Sequence, residues 1–464
     1  MPAKLLSKVV SLAVLFGVAA SAGVIHVPAD EPTIQIAIQV AKPFDTIIVA
    51  PRTYSEAISF GGKVIVVQSE DPTNPATVAG TIIDAGGLGS VVTFSGGEDQ
   101  VNTILDGFTI TGGTLGIDGH STRAVIRRCI IRDNGSHGIY QADGLIEDCQ
   151  VLDNGSNGIE DCDGTFRRCV ISGNTQSGVA RCDGSISDSF IVSNGTYGVF
   201  VGDLDIDRCV IGWNGASGIV SENPSSFHGG DIRESCIVGN RSTGVTGVNG
   251  YDSGLVRNTV VAGNRSSGFQ RSRKNVVSCT VTGNRAYGFD NHTGTVRHLI
   301  LWDNLLGGLN SSTTPVFSGT ANPFFVRPGF WDALKDVWVD GDYHLSADSP
   351  YIDAGDPAYG DNPNNPTIDI DGNPRIVGER VDIGAFEFQA ECVGADFDGD
   401  GTADVCDRDI DGDGIPNVAD RCDFTPAGIP VDSEGRPFAD LNLDCNVNLR
   451  DFARFQMSLL GPPQ

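Results

Sequence analysis

Apolar residues between Asn134 and Leu309 keep fixed distances from a recurring polar phrase, Asn-x-x-x-Gly followed by Ile, Val, Phe or Leu. The Asn positions are 134, 154, 174, 194, 214, 240, 264, 284 and 304, a period of 20 residues with two longer steps of 26 and 24. A fixed period of this length marks a solenoid. Three residues before Asn the chain reads Ile131, Val151, Ile171, Ile191 and Ile211, and five before it Cys129, Cys149, Cys169, Ser189 and Cys209. These runs are β-branched, alternate with period two and are bounded by Gly, Asn and Asp, which makes them strands. A coil of about 20 residues is too short for a helix-containing repeat and suits three short strands and three bends, a parallel β-helix.

Charge supports the same register. Six residues before Asn the sign alternates along Arg128, Asp148, Arg168, Asp188 and Arg208, and Glu234 follows. Coils stack about 4.8 Å apart, so opposite charges fall side by side on neighbouring strands, and the column is read as structural rather than catalytic. Before the regular coils, Thr33 to Ala41 has helical apolar spacing with Thr33 placed as its cap and Pro43 ending it, which predicts a short helix closing the exposed first coil. Strand-like runs follow at Asp45 to Ala50 and Lys63 to Gln68.

Composition sets the compartment. Lys4 and Lys8 precede an apolar stretch from Val9 to Ala20 and then Ala20-Ser21-Ala22, the order of a secretory signal peptide cleaved after Ala22. No stretch is long enough to favour a transmembrane segment. Of twelve cysteines, eight lie in the coils between Cys129 and Cys279. Parallel stacking holds their Cβ atoms at about 4.8 Å, beyond disulfide range, so they are read as small buried apolar residues. Cys392, Cys406, Cys422 and Cys445 in the tail are the disulfide candidates. The formal net charge is −28, and the last 74 residues hold 16 Asp plus Glu against 5 Arg. Such a balance argues against nucleic acid as a partner and for bound cations.

The stretch Pro32-Thr-Ile-Gln, Asp45-Thr-Ile-Ile-Val-Ala-Pro-Arg-Thr-Tyr54, Glu56 and Gly62-Lys63 resembles the opening of the pectin lyase-like superfamily. With the coil repeats, the resemblance covers about residues 25 to 390 and implies a right-handed parallel β-helix, an all-β fold. Ser349-Pro-Tyr-Ile-Asp-Ala-Gly-Asp356, Asp371-Gly-Asn-Pro-Arg375 and Val381-Asp-Ile-Gly-Ala-Phe-Glu387 resemble the segment that finishes the solenoid in secreted bacterial β-helix proteins. The Pro and Asn cluster between Pro357 and Pro366 is expected to be a surface loop. Neither the catalytic Asp pair of pectin methylesterases nor the Asn-Thr-Asp and Gly-His-Gly motifs of polygalacturonases has a match.

The tail carries the most specific chemistry. Asp396, Asp398, Asp400, Asp404 and Asp407 surround Gly401, and Asp409, Asp411, Asp413, Asn417 and Asp420 repeat the set around Gly414. Alternate oxygen side chains, a Gly for the sharp turn and a closing carboxylate suit Ca²⁺, which takes six to eight oxygen ligands. A third set, Asp440, Asn442, Asp444, Asn448 and Asp451, has the same spacing with Cys445 in the Gly position, and an amphipathic helix is expected after it. The first two loops resemble thrombospondin type 3 repeats. The third loop resembles one half of a dockerin, implying a cohesin-type partner, although a dockerin has two such halves.

The expected organisation is a signal peptide at 1–22, an N-terminal cap and first coils at 23–107, regular coils at 108–310 and terminal coils with a closing segment at 311–390. Thrombospondin type 3-like repeats at 391–438 and a dockerin-like half repeat at 439–464 complete it. Asp143, Asp163, Asp183 and Asp203 form a further column, read as turn residues with a calcium or acid–base site as the alternative. The Asn column is read as a structural ladder. His120, His137, His292 and His298 are dispersed and suggest no site. The expected function is a secreted or cell-surface calcium-binding β-helix that binds extracellular polysaccharide or another surface component. The alternatives are a lyase, hydrolase or epimerase acting on acidic polysaccharide, or a purely structural surface scaffold. An Arg or Lys beside carboxylates would favour the enzyme and an aromatic stripe the binder.

Overall fold

The computed structural model describes residues 22–389 apart from 97, 99–101, 201, 222–229, 248–253, 363–364 and 378. In the tail it describes 397, 410–413, 415, 421–422, 425, 429, 431–432, 435–437, 440, 445 and 451. The expected signal peptide and most of the tail therefore lie outside the described residues.

Each regular coil contributes three short strands, as in Leu145–Glu147, Gln150–Leu152 and Ile159–Glu160. Like strands stack in parallel. The second row aligns Ile131, Val151, Ile171, Ile191 and Ile211, and the third aligns Ile139, Ile159, Val179, Val199 and Ile219. First and second rows share a 23-stranded sheet, and the third is a separate 12-stranded sheet. Their inward side chains form one continuous core. Fully burying a Val or Ile contributes roughly 1.5–3 kcal/mol, so repetition along the axis supplies the stability.

The alternating charges do not sit within strands, as the sequence suggested. Arg128, Asp148, Arg168, Asp188, Arg208 and Glu234 occupy the bend between first and second rows, with φ between 43° and 53°. A left-handed residue there turns the chain and throws its side chain outward. Pairing between coils survives this change: Arg168 Nε lies 2.7 Å from Asp148 Oδ1, and Arg208 Nε lies 2.6 Å from Asp188 Oδ1. These groups are part-exposed, so each pair contributes no more than about 1 kcal/mol.

The Asn column is a continuous ladder. From Asn134 to Asn304 each side-chain Nδ2 donates to Oδ1 of the next Asn at 2.8–3.1 Å. The same Oδ1 accepts the backbone N–H of the previous Asn, as at Asn174 and Asn194. Every amide in the column is buried. The Gly after it is needed for close approach: a Cβ on Gly198 would lie 2.5 Å from Ile211 Cγ2 and 2.6 Å from Gly218 O.

None of the eight coil cysteines is in a disulfide, and seven are buried. Burial pushes the Cys169 and Cys209 thiols up to about 12, so they stay protonated and behave as small core residues. The N-terminal helix runs Ile34–Val40, with Thr33 Oγ1 accepting the Ile36 N–H. A second helix, Pro75–Gly80 capped by Asn74, has too few residues for its period to be read from sequence.

After the coils the chain folds back over the outside of the second row. Strand Phe325–Arg327 pairs with Asp342–Leu345, and Phe330–Asp332 pairs with Val337–Val339, both antiparallel. Trp338, Tyr343, Tyr351, Ile383 and Phe386 pack there on Val210, Val238, Val260, Ala262 and Ile300. The closing motif is held by carboxylates. Asp369 accepts the N–H groups of Asn373 and Glu387, Asp382 those of Asp353 and Phe388, and Glu387 that of Asp382, while buried Arg375 donates to Gly384 O. Within the Pro and Asn loop, Tyr359 is buried, its hydroxyl 2.9 Å from Ser278 Oγ.

Two buried histidines make the last coils acid-sensitive. Burial lowers His292 to about 4, and burial together with the Arg297 and Arg375 charges lowers His298 to about 4. Both lie below the unfolded value of about 6.5, so falling pH protonates the unfolded chain first. Stability is full above pH 6.5 and should fall toward pH 4 by up to about 1.4 kcal/mol per pH unit per histidine. His292 packs edge-on against Phe289 at 4.9 Å. His292→Phe should remove part of the acid loss. Melting curves with the same pH slope in both proteins would overturn the assignment.

Candidate functional site

Three sets of residues bear on function: the aspartate column, the tail loops and the outer face of the third row. In the column, Asp143 Oδ1 accepts the N–H of Asp163, Asp163 Oδ1 that of Asp183, and Asp183 Oδ1 that of Asp203, at 2.7–3.1 Å. One oxygen of each of the first three carboxylates is thus committed to the next coil.

In the tail, Asp411, Asp413, Asp440 and Asp451 are described. Asp396, Asp398, Asp400, Asp404, Asp407, Asp409, Asn417, Asp420, Asn442, Asp444 and Asn448 lie outside the described residues. Asp440 and Asp451, first and last in the third loop, are buried, and Asp440 Oδ2 accepts the Cys445 N–H at 2.9 Å. Cys445 has φ of 68°, the left-handed turn for which a calcium loop usually uses Gly, and is bonded to Cys422. Carboxylates at the first and last positions and a left-handed turn at the sixth fit Ca²⁺.

The third row presents a different chemistry. Its outward column aligns Asp118, Tyr140, Glu160, Ala180, Phe200 and Val220 on successive coils. Glu160 is 2% exposed. Its carboxylate accepts from Asn157 Nδ2 at 2.5 Å, lies 2.6 Å from His137 Nδ1 and pairs with the Arg181 guanidinium, which also donates to Asp161 at 2.8 Å. Asp161 and Arg181 follow their strands at φ of 52° and 51°, so the bend carries them beside the sheet face. Burial first, then the Arg181 charge, lowers the His137 pKa. His137 stacks on Tyr140 at 5.7 Å, and Tyr197 stacks on Phe200 at 4.9 Å with planes 11° apart. Tyr140 and Phe200 stand three coils apart, about 14 Å, with short Ala180 between them.

Sequence reading treated His137 as dispersed and did not single out Glu160, Arg181, Tyr197 or Phe200. The available signal was their offset from the ladder: His137, Glu160 and Arg181 stand three, six and seven residues after successive Asn positions. At the opposite bend, burial and the neighbouring Asp207 raise the Glu234 pKa to about 7, while Arg257 Nε stands 3.3 Å away.

Residues 71–205 match the family model for the right handed beta helix region. The chain is a right-handed parallel β-helix. Residues 395–427 match the thrombospondin type 3 repeat. Similar solved structures include a pectate lyase, 16% identical, covering 80% of this chain and 97% of that one with a TM-score of 0.40. A mannuronan C-5 epimerase A-module from Azotobacter vinelandii is 15% identical, covering 62% and 95% with a TM-score of 0.35. An alginate lyase from Paenibacillus sp. is 16% identical, covering 62% and 95% with a TM-score of 0.25. No curated protein matches the chain. Among the described residues of this β-helix, no helix is long and apolar enough to cross a membrane.

Proposed function

We propose that this protein is an exported, calcium-stabilised β-helix that binds extracellular polysaccharide along the outer face of its third strand row. The observation that carries the reading is the line of stacked aromatics, Tyr140 with His137 and Tyr197 with Phe200, flanking the polar Glu160, Asn157 and Arg181. Aromatic faces stack on the apolar faces of sugar rings, and fixed polar groups between them orient hydroxyls. Tyr197→Ala with Phe200→Ala should weaken retardation in polysaccharide-containing gels at least tenfold while leaving the circular dichroism unchanged. Equal retardation of wild type and variant on every polymer would sink the proposal.

Calcium belongs to the tail in this reading. The loops concentrate carboxylates with little apolar core, so ion binding contributes directly to folding free energy. Full-length protein in a chelator should be cleaved by protease after Glu391 and protected in millimolar calcium, with the coils resistant in both. A tail equally protected in chelator, or coils cleaved in it, would overturn the division.

A second reading, catalysis on acidic polysaccharide, is favoured by Glu234, a carboxylic acid able to hold a proton near neutral pH beside Arg257. Glu234→Gln should then abolish depolymerisation or epimerisation of uronate polymers without loss of melting temperature. Activity retained in that variant would exclude Glu234 from the chemistry.

A further inference from the structure

We infer that the glycan held on the third-row face carries free amino groups; the inference rests on the polysaccharide-binding reading and names its substrate class. The argument is the sign of the charge around the aromatic platforms. From Asp118 to Asp203, the face and its following bend carry Asp118, Asp161, the aspartate column and the buried Glu160, against two guanidiniums, Arg123 and Arg181, and the imidazole of His120 beside Asp118. Arg181 is already engaged by Glu160 and Asp161. Arg128 and Arg168 are drawn to the opposite bend by Asp106 and Asp148, and Arg132, at the end of the second row, is paired with Asp133.

Negative charge is also held in place. One oxygen of Asp143, Asp163 and Asp183 is fixed by the next backbone N–H, which leaves the second directed away from that bond along an exposed edge. Asp163 and Asp183 are exposed beside the face. Beside a surface carboxylate a cation is attracted and an anion repelled, the more strongly the lower the local dielectric. The same edge therefore attracts an ammonium and repels a uronate. A cation over Tyr140 or Phe200 is attracted further by the ring face. An amino-sugar polymer thus satisfies the aromatic platforms and the acidic edge together, whereas a polyuronate satisfies only the first.

The test uses full-length protein in calcium at mildly acidic pH with three soluble polymers: partly deacetylated chitin, an uncharged glucan and polygalacturonate. The amino polymer should bind at least tenfold tighter than the uncharged one, and the difference should shrink as salt is added. Asp161→Asn with Asp163→Asn keeps side-chain oxygens to accept the same hydrogen bonds. That variant should lose several-fold affinity for the amino polymer with unchanged melting, and Tyr197→Ala with Phe200→Ala should lose the rest. Equal, salt-independent binding of the uncharged glucan would overturn the charge inference and leave the polysaccharide reading standing. Preference for polygalacturonate, with or without calcium, would do the same. Binding of none would overturn both.

Discussion

Asn194→Ala should destabilise the solenoid by about 3–5 kcal/mol, because it strips partners from several buried groups at once. Asn194 Nδ2 donates to Ile171 O, Val192 O and Asn214 Oδ1, and its Oδ1 accepts both the N–H and the Nδ2 of Asn174. Alanine can replace none of these, and the bend is too tight for water to enter without moving the coils. The loss should appear in guanidinium unfolding as a lower midpoint or as two transitions, since a solenoid broken in the middle unfolds as two pieces. Asn310→Ala is the control. Its amide also bonds across one coil, to Asp290 Oδ1 at 2.8 Å, but it is exposed and its loss should cost less than about 0.5 kcal/mol. Equal losses at the two sites would show that burial of the ladder contributes nothing.

The second large effect lies at the other end of the molecule. Trp338 is 2% exposed and lies against the Gly263 and Gly283 bends, where a Cβ would approach its ring to 2.0 and 2.2 Å. Trp338→Ala should cost about 3–5 kcal/mol through the lost ring and the cavity it leaves. The loss should be local: amide exchange should rise across 311–389 and stay unchanged in coils before residue 180. Gly263→Ala, which adds a Cβ at φ of 59° under the same ring, should release the segment in the same way. Exchange that rises uniformly along the chain would overturn the idea that this segment docks as a separate unit.

Different parts of the protein were legible for different physical reasons. The Asn ladder, the apolar columns and the reduced cysteines could be read because each depends on contacts between residues one coil apart, which the period writes directly into the sequence. The alternating charges were legible as pairs, but their place in a bend was not. Left-handed φ at Arg128 or Asp148 carries no compositional mark when the residue is not Gly. His137, Glu160 and Arg181 escaped because each stands at a different offset within its coil, so no column collects them. They meet only because a strand residue and a bend residue on the next coil face the same side.

The sequence by itself determined the solenoid, its register and its core, since those follow from nearest-neighbour stacking repeated every coil. Its spacing of acidic loops also announced the thrombospondin type 3 repeat matched at residues 395–427. Only the tertiary structure decided which outward surfaces are covered. Val210, Val238, Val260 and Ala262 are apolar on the outside of the second row, a pattern that looks like exposed surface until Trp338 and Phe386 arrive from up to about 180 residues away. The small bends at Gly263 and Gly283 make room for that closing segment. Burial of the second row depends on a long-range contact with no period, which is why the chain's local pattern could not announce it.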